Sequence, residues 1–228
     1  MATITTRNSW RLRQRIFDYL SRRIEDGSLT PGALINVRQL TETLKVSRTP
    51  LREALAQLEI QGLVSILPQR GVLINVLMYE DLLDLFEIIG ALESQVVFTV
   101  FDRITEKHIR QMQRYNRVMQ QAVEKGKNRT FHETNILFHK VFLDLSANRE
   151  LTAYVSSLKL RLFGFALKSY RDRFKRAIVA EHQVFIDLLI KGERRAAADY
   201  LKDVHWKFNY PDNFIRPGTT DNSTTANV

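Results

Sequence analysis

Apolar residues recur three and four apart over most of this chain, interrupted once where they crowd into short runs. From Ser9 to Asp26, the residues Leu12, Ile16, Tyr19, Leu20 and Ile24 mark one helix face, with Ser9 suited to cap it and Gly27 to stop it. Pro31-Gly32 reads as a turn, and Leu34 to Val37 as a short extended piece. Arg38 to Leu44 is a second short helix with Leu40 and Leu44 inward. After a tight turn at Lys45-Val46, a third helix runs from Ser47 to Gln61 and ends at Gly62. Ser47 or Thr49 can cap it, and Pro50 is tolerated in its first turn. Leu51, Ala54, Leu55 and Leu58 form its apolar stripe, while Arg48 and Arg52 project together from another face. The period then changes. Leu63 to Leu67 and Gly71 to Val76 are two β-rich runs joined by Pro68-Gln69-Arg70, a hairpin signal. Three helices and a hairpin make a winged helix-turn-helix over residues 9–77, whose third helix is the reader.

Beyond Met78 only the helical period remains. Helices are expected over Glu80 to Phe101, Thr105 to Lys125, Arg129 to Ala147, Glu150 to Tyr170, Phe174 to Lys191 and Glu193 to Asn209. Gly126, Asn148, Gly192 and Pro211 punctuate them. Six helices with short links form an all-α antiparallel bundle over residues 79–210, so the chain is mainly α. Residues 1–8 and 211–228 read as flexible tails.

Composition sharpens this picture. The chain has 228 residues and no cysteine, which excludes disulfides and thiolate metal sites. It shows no signal peptide and no apolar run long enough for a bilayer, so a soluble cytoplasmic protein with no membrane contact is expected. Residues 1–76 hold 11 Lys/Arg against 6 Asp/Glu, a net of +5 out of the +9 of the whole chain. That concentration suits a polyanion partner for the first third. In a DNA major groove Arg48 and Arg52 can read guanine, and Thr49 can reach a base edge or a phosphate. Arg38 can contact phosphate, and Arg70, at the hairpin tip beside Gly71, can reach backbone or minor groove. The same third helix also fits an ordinary surface helix with two solvated arginines.

A second constellation lies in the bundle. Asn135 and His139 are four apart and share a helix face flanked by Phe138 and Phe142, so that face points inward. His182 and His205 sit beside apolar positions on two other helices. Three imidazoles and an amide oxygen could enclose one divalent ion, zinc or nickel for such donors. The same residues also fit three separate histidines, each with a local partner. His108 and His132 read as surface residues, although His132 lies seven before His139 and could share its face. A hydrolytic zinc enzyme would need a general base, and Glu181 points roughly 100° away from His182 on a helix. There is no nucleophile elbow and no Gly-rich phosphate loop. A nucleoid-type DNA binder with no effector is a third possibility.

The string from Gly27 to Gly71 resembles the amino-terminal domain of GntR-family bacterial transcription regulators. The residues that carry the resemblance are Gly27-Ser28-Leu29-x-Pro31-Gly32, Leu40-x-x-x-Leu44-x-Val46-Ser47-Arg48-Thr49-Pro50-Leu51-Arg52-Glu53-Ala54-Leu55, Gly62-Leu63-Val64 and Pro68-x-Arg70-Gly71. It implies that Arg38, Ser47, Arg48, Thr49, Arg52 and the wing residues Gln69, Arg70 and Gly71 touch operator DNA. Lys45 stands where the family often has glycine, and Gln61 where an acidic residue is usual. The bundle resembles the FCD effector-binding domain of the FadR branch, and its six helices resemble the VanR-type subgroup. Metal-binding FCD domains carry Asp-x-x-x-His, Glu-His and a late His; His139, Glu181-His182 and His205 match, with Asn135 in place of the aspartate. Ile89 stands where many FCD domains have an effector-facing arginine, four before the glutamate matched by Glu93. Arg161 could substitute, which makes Glu93 and Arg161 the expected effector-pocket residues. The resemblance implies a ligand-responsive repressor, not an enzyme. It implies a homodimer on palindromic double-stranded operator DNA, with a small carboxylic acid effector at a zinc or nickel site.

Overall fold

In the computed structural model, which describes residues 4–25, 27–166 and 172–207, the chain divides into two units. The expected carboxy-terminal tail at 211–228 lies outside the described residues, as do the last residues assigned to two of the bundle helices. The first unit contains α1 (Ile4–Glu25), β1 (Leu34–Ile35), α2 (Val37–Leu44), α3 (Arg48–Ile60), β2 (Val64–Leu67) and β3 (Gly71–Ile74). Residues 157–166, the second half of a later helix, also belong to it. Helix α1 starts at Ile4 rather than at Ser9, so residues 4–8 are not a tail. No proline or glycine breaks that stretch, and a serine inside a helix costs only tenths of a kcal/mol.

The core of this unit is what the apolar stripes demand. Ile16, Phe17, Leu20 and Ile24 of α1 meet Leu51, Ala54, Leu55 and Leu58 of α3, closed from below by Val64, Val72 and Ile74. Each fully buried leucine contributes about 1.5–3 kcal/mol by leaving water. The hairpin is one strand wider than expected. The extended piece at Leu34-Ile35 pairs antiparallel with β3, Leu34 opposite Leu73 and Ile35 opposite Val72, giving the strand order β1-β3-β2. Gly71 is needed for that packing, because a Cβ there would lie 2.5 Å from the Ile35 carbonyl oxygen at a φ of 122°.

Helix α2 is capped by Asn36, whose side chain accepts from the backbone N–H groups of Arg38 and Gln39. At its other end Lys45 adopts a left-handed conformation, φ 52° and ψ 44°. Glycine is the usual residue there, and an L side chain in that region costs roughly 1–2 kcal/mol. Lys45→Gly is therefore expected to stabilise the chain by about 1 kcal/mol and raise its melting temperature by about 2–4 °C in a thermal scan. A lower melting temperature would show that the lysine side chain contributes more than its backbone costs.

The second unit is helical throughout its described part. It contains α4 (Tyr79–Val100), a 3₁₀ turn (Phe101–Arg103), α5 (Glu106–Glu124), α6 (Asn128–Leu143), the first half of α7 (Arg149–Ala166), α8 (Asp172–Ile190) and α9 (Arg194–Tyr200). Six helices are thus described beyond Met78. Helix α6 stops four residues earlier than expected, and Asn148 caps α7 by accepting from the Leu151 N–H. Helix α9 continues into a π turn, Leu201–His205, closed by Trp206 N–H donating to the Leu201 carbonyl at 2.8 Å. Among the described residues no helix is long and apolar enough to cross a membrane.

Candidate nucleic-acid interface and metal centre

In the first unit, α3 buries Pro50, Leu51, Ala54, Leu55 and Leu58, and that burial turns Arg48, Thr49 and Arg52 outward, where all three are exposed. Ser47 occupies the N-cap position with extended backbone, but its hydroxyl makes no cap bond, contrary to its expected role there. The first-turn N–H groups of α3 are thereby left to an outside acceptor, which suits an anion. Arg38 is exposed on α2 and paired to Glu42 at 3.1 Å across one helical turn. A pair of this kind is worth little in water and exchanges readily for a phosphate. Gln69 takes a left-handed φ of 60° in the turn between β2 and β3, with Arg70 exposed beside it. Gly71, the last of the expected wing contacts, begins β3.

In the second unit the three histidines meet. His139 comes from α6, His182 from α8 and His205 from the π turn, and one ring nitrogen of each lies within 4.8 Å of the others. His139 Nε2 is 3.3 Å from both His182 Nε2 and His205 Nε2. Each ring is delivered by its helix's buried face: Phe131, Asn135, Phe138, His139 and Phe142 on α6, and Ile178, His182, Phe185, Ile186 and Leu189 on α8. Phe138 stacks on the His182 ring at 3.8 Å, and Phe142 meets His139 edge-on. These phenyl groups keep water from the cluster.

The other ring nitrogens explain the orientation. His139 Nδ1 lies 2.8 Å from Glu93 Oε2, and His205 Nδ1 lies 2.9 Å from Glu181 Oε2. A carboxylate only accepts, so each Nδ1 carries the proton and each Nε2 turns toward the common centre. Local partners therefore exist, as separate core histidines would have them, but on one nitrogen apiece. Lone pairs cannot face one another at 3.3 Å without a proton or a cation between them. Asn135 is 4% exposed, and its Oδ1 has no hydrogen-bond partner among the described residues. Three imidazole nitrogens fit a divalent transition ion, with two outer carboxylates to balance its charge, and Asn135 lies one helical turn before His139 on the same buried face of α6.

Glu93 thus adjoins the cluster as a histidine partner, fully buried. Arg161 falls in the first unit, where its side chain runs beside Gly62. Ile89, the position without its arginine, is buried in the α4 core. His132 is only 3% exposed, not a surface residue, because it falls on the buried face of α6 beside Phe131. His108 stays near the surface and caps α5 through Thr105. Two functional features escape the periodicity. Glu181 is the first: its angle from His182 argues against a general base beside that ring, yet it reaches His205 on another element. Glu93 is the second, and it did leave a signal: a carboxylate at 93 interrupts the apolar stripe Ile89, Val96, Val97, and such a group needs a partner.

Comparison with known proteins agrees with both halves. Residues 12–74 match the model for bacterial regulatory proteins of the gntR family, and residues 84–204 match the FCD domain. The chain is 26% identical to an uncharacterized HTH-type transcriptional regulator, YdhC, of Bacillus subtilis, covering 82% of this chain and 84% of that one. It is 29% identical to the Nta operon transcriptional regulator of Aminobacter aminovorans, covering 84% and 90%. The solved structure of Escherichia coli McbR/YncC superposes with a TM-score of 0.72 at 22% identity, over 85% of this chain and 93% of that one.

Proposed function

The chain belongs to the GntR family of bacterial regulatory proteins, with an FCD domain behind its winged helix-turn-helix, and from that premise we propose how it is switched. It is a DNA-binding transcription regulator, of a family of regulators and not of enzymes. The proposal is that a metal ion in the histidine cluster recognises a small carboxylic acid, and that this occupancy sets the affinity of a homodimer for a palindromic operator. Repression is the proposed output, the bound dimer occupying DNA that transcription would need, and the cytoplasm is the proposed location.

The observation that carries the reading is the convergence of His139, His182 and His205 through Nε2, two of them held by carboxylates. His139, His182, His205 and Asn135 would hold the ion, zinc or nickel by donor type. When bound, the ion supplies the positive charge that a carboxylate oxygen of the effector would ligate. Glu93, committed to His139, orients that ring and does not receive the acid. On the DNA side, Arg48, Thr49 and Arg52 enter the major groove, Ser47 and Arg38 take phosphates, and Gln69 and Arg70 extend the contact from the wing. A two-fold dimer on a two-fold operator presents these residues twice.

An effector can shift DNA affinity only by its unequal affinity for two states, typically about 1–3 kcal/mol of coupling. Mobility shift with the DNA flanking the protein's own gene tests the scheme. A discrete dimer band is expected, whose midpoint moves about 5–150-fold with the right small carboxylic acid. Chelation should abolish that response. An acid response that survives complete chelation would remove the metal from the scheme.

A further inference from the structure

We propose that Trp206 is a positioning residue for the histidine cluster, acting through Glu93; this rests on the reading of the cluster as a metal site. The indole Nε1–H donates to Glu93 Oε2 at 2.8 Å, the same oxygen that receives His139 Nδ1–H at 2.8 Å. One carboxylate oxygen thus ties the residue after the π turn to the central histidine of the cluster. Glu93 is fully buried and Trp206 is 4% exposed, so no water replaces either donor. Two donors on one oxygen fix the carboxylate's rotation, and the carboxylate fixes the plane and tautomer of His139. Without the indole, Glu93 can swing and carry the His139 ring out of line with the other two.

The backbone is arranged to deliver the indole. The π turn brings both His205 and Trp206 to buried positions, with ring centroids 5.1 and 5.3 Å from that of His139. Phe86 of α4 meets the indole edge-on at 5.3 Å. Gly90, three residues before Glu93 on α4, makes the approach possible, since a Cβ there would sit 2.7 Å from Trp206 Cβ. Phe86, Gly90 and Glu93 line one side of α4 and accept one residue. Packing alone would ask only for a large apolar group at 206; the hydrogen bond to the histidine's own partner asks for the indole N–H.

The test separates shape from hydrogen bond. Trp206 is replaced in the full chain by 3-benzothienylalanine, which has sulfur in place of the N–H and nearly the same shape. Zinc affinity is measured by competition with a chelating dye. The dissociation constant is expected to rise about tenfold or more, the usual effect of losing an outer-shell partner. The same replacement in a Glu93→Gln background should add little, because both act through one carboxylate. Gly90→Ala is the second variant, keeping the indole but pushing it from α4, and it should weaken zinc similarly. In a Trp10→Phe background one indole remains, and its N–H resonance should shift on zinc addition. Zinc affinity within about twofold of the parent in both the 206 and 90 variants would overturn the inference and leave the metal reading intact. A parent chain that binds no zinc would overturn both.

Discussion

Replacing His139 with alanine is expected to weaken zinc binding by more than about a hundredfold, since losing an outer-shell partner alone costs about 10–100-fold. His139 is the centre of the cluster, its Nε2 being 3.3 Å from each of the other two. The substitution also deprives the fully buried Glu93 of the His139 donor, so some loss of stability accompanies it. A thermal readout separates the two effects. An ion that binds only the folded chain stabilises it by mass action, about 2.7 kcal/mol at a hundred times its Kd. Chelation should then lower the melting temperature of the parent by roughly 5–10 °C, given the size of the chain. His139→Ala should melt lower than the zinc-bound parent and show no further change with chelator. A parent insensitive to chelator, with a His139→Ala variant that binds zinc equally well, would end the metal assignment.

How much of this site could be read from the chain follows from which interactions are local. Helices α3, α4, α6 and α8 are periodic because each buries one stripe, and their leucines and phenylalanines announce which way the intervening polar residues point. Asn135 and His139 could be placed on a buried face from Phe138 and Phe142 alone. Arg48 and Arg52 could be placed on an exposed one from Leu51, Leu55 and Leu58. What periodicity does not carry is distance between helices. It left three histidines either joined or separate, and only the packing of α6 against α8 and the π turn brings their Nε2 atoms together.

Two further cases have the same cause. A π turn has no sequence period of its own, so nothing in Leu201 to His205 announces that Trp206 will reach Glu93, 113 residues earlier in the chain. Glu181 lies off the His182 direction, which is a sound inference about one helix and irrelevant to a partner on another. His132 shows the converse error. Its neighbours Phe131 and Asn135 are both buried, and a spacing of seven from His139 already put it on their side. Leu34-Ile35 reads as extended, but at two residues it is too short for alternation to show that it pairs with β3.

The second large effect is expected on DNA. Arg48→Ala and Arg52→Ala should each cost about 1–3 kcal/mol per base contact on the operator, or about 5–150-fold. Both side chains are exposed, so neither change disturbs the α3 core, and stability should stay within about 0.5 kcal/mol of the parent. Salt then tells what each arginine does. An arginine that reads a base loses discrimination at one operator position while the salt slope changes little. One that holds a phosphate loses affinity on every sequence, and the slope of log K against log salt falls by about 0.9 for each contact removed. The two lie one helical turn apart, so the double variant can fall short of the sum of the singles where they share a guanine or a phosphate. A double variant that holds its operator as tightly as the parent, at both low and high salt, would show that α3 is not the reading helix. With that, the leucine stripe would have turned the arginines toward solvent and nothing more.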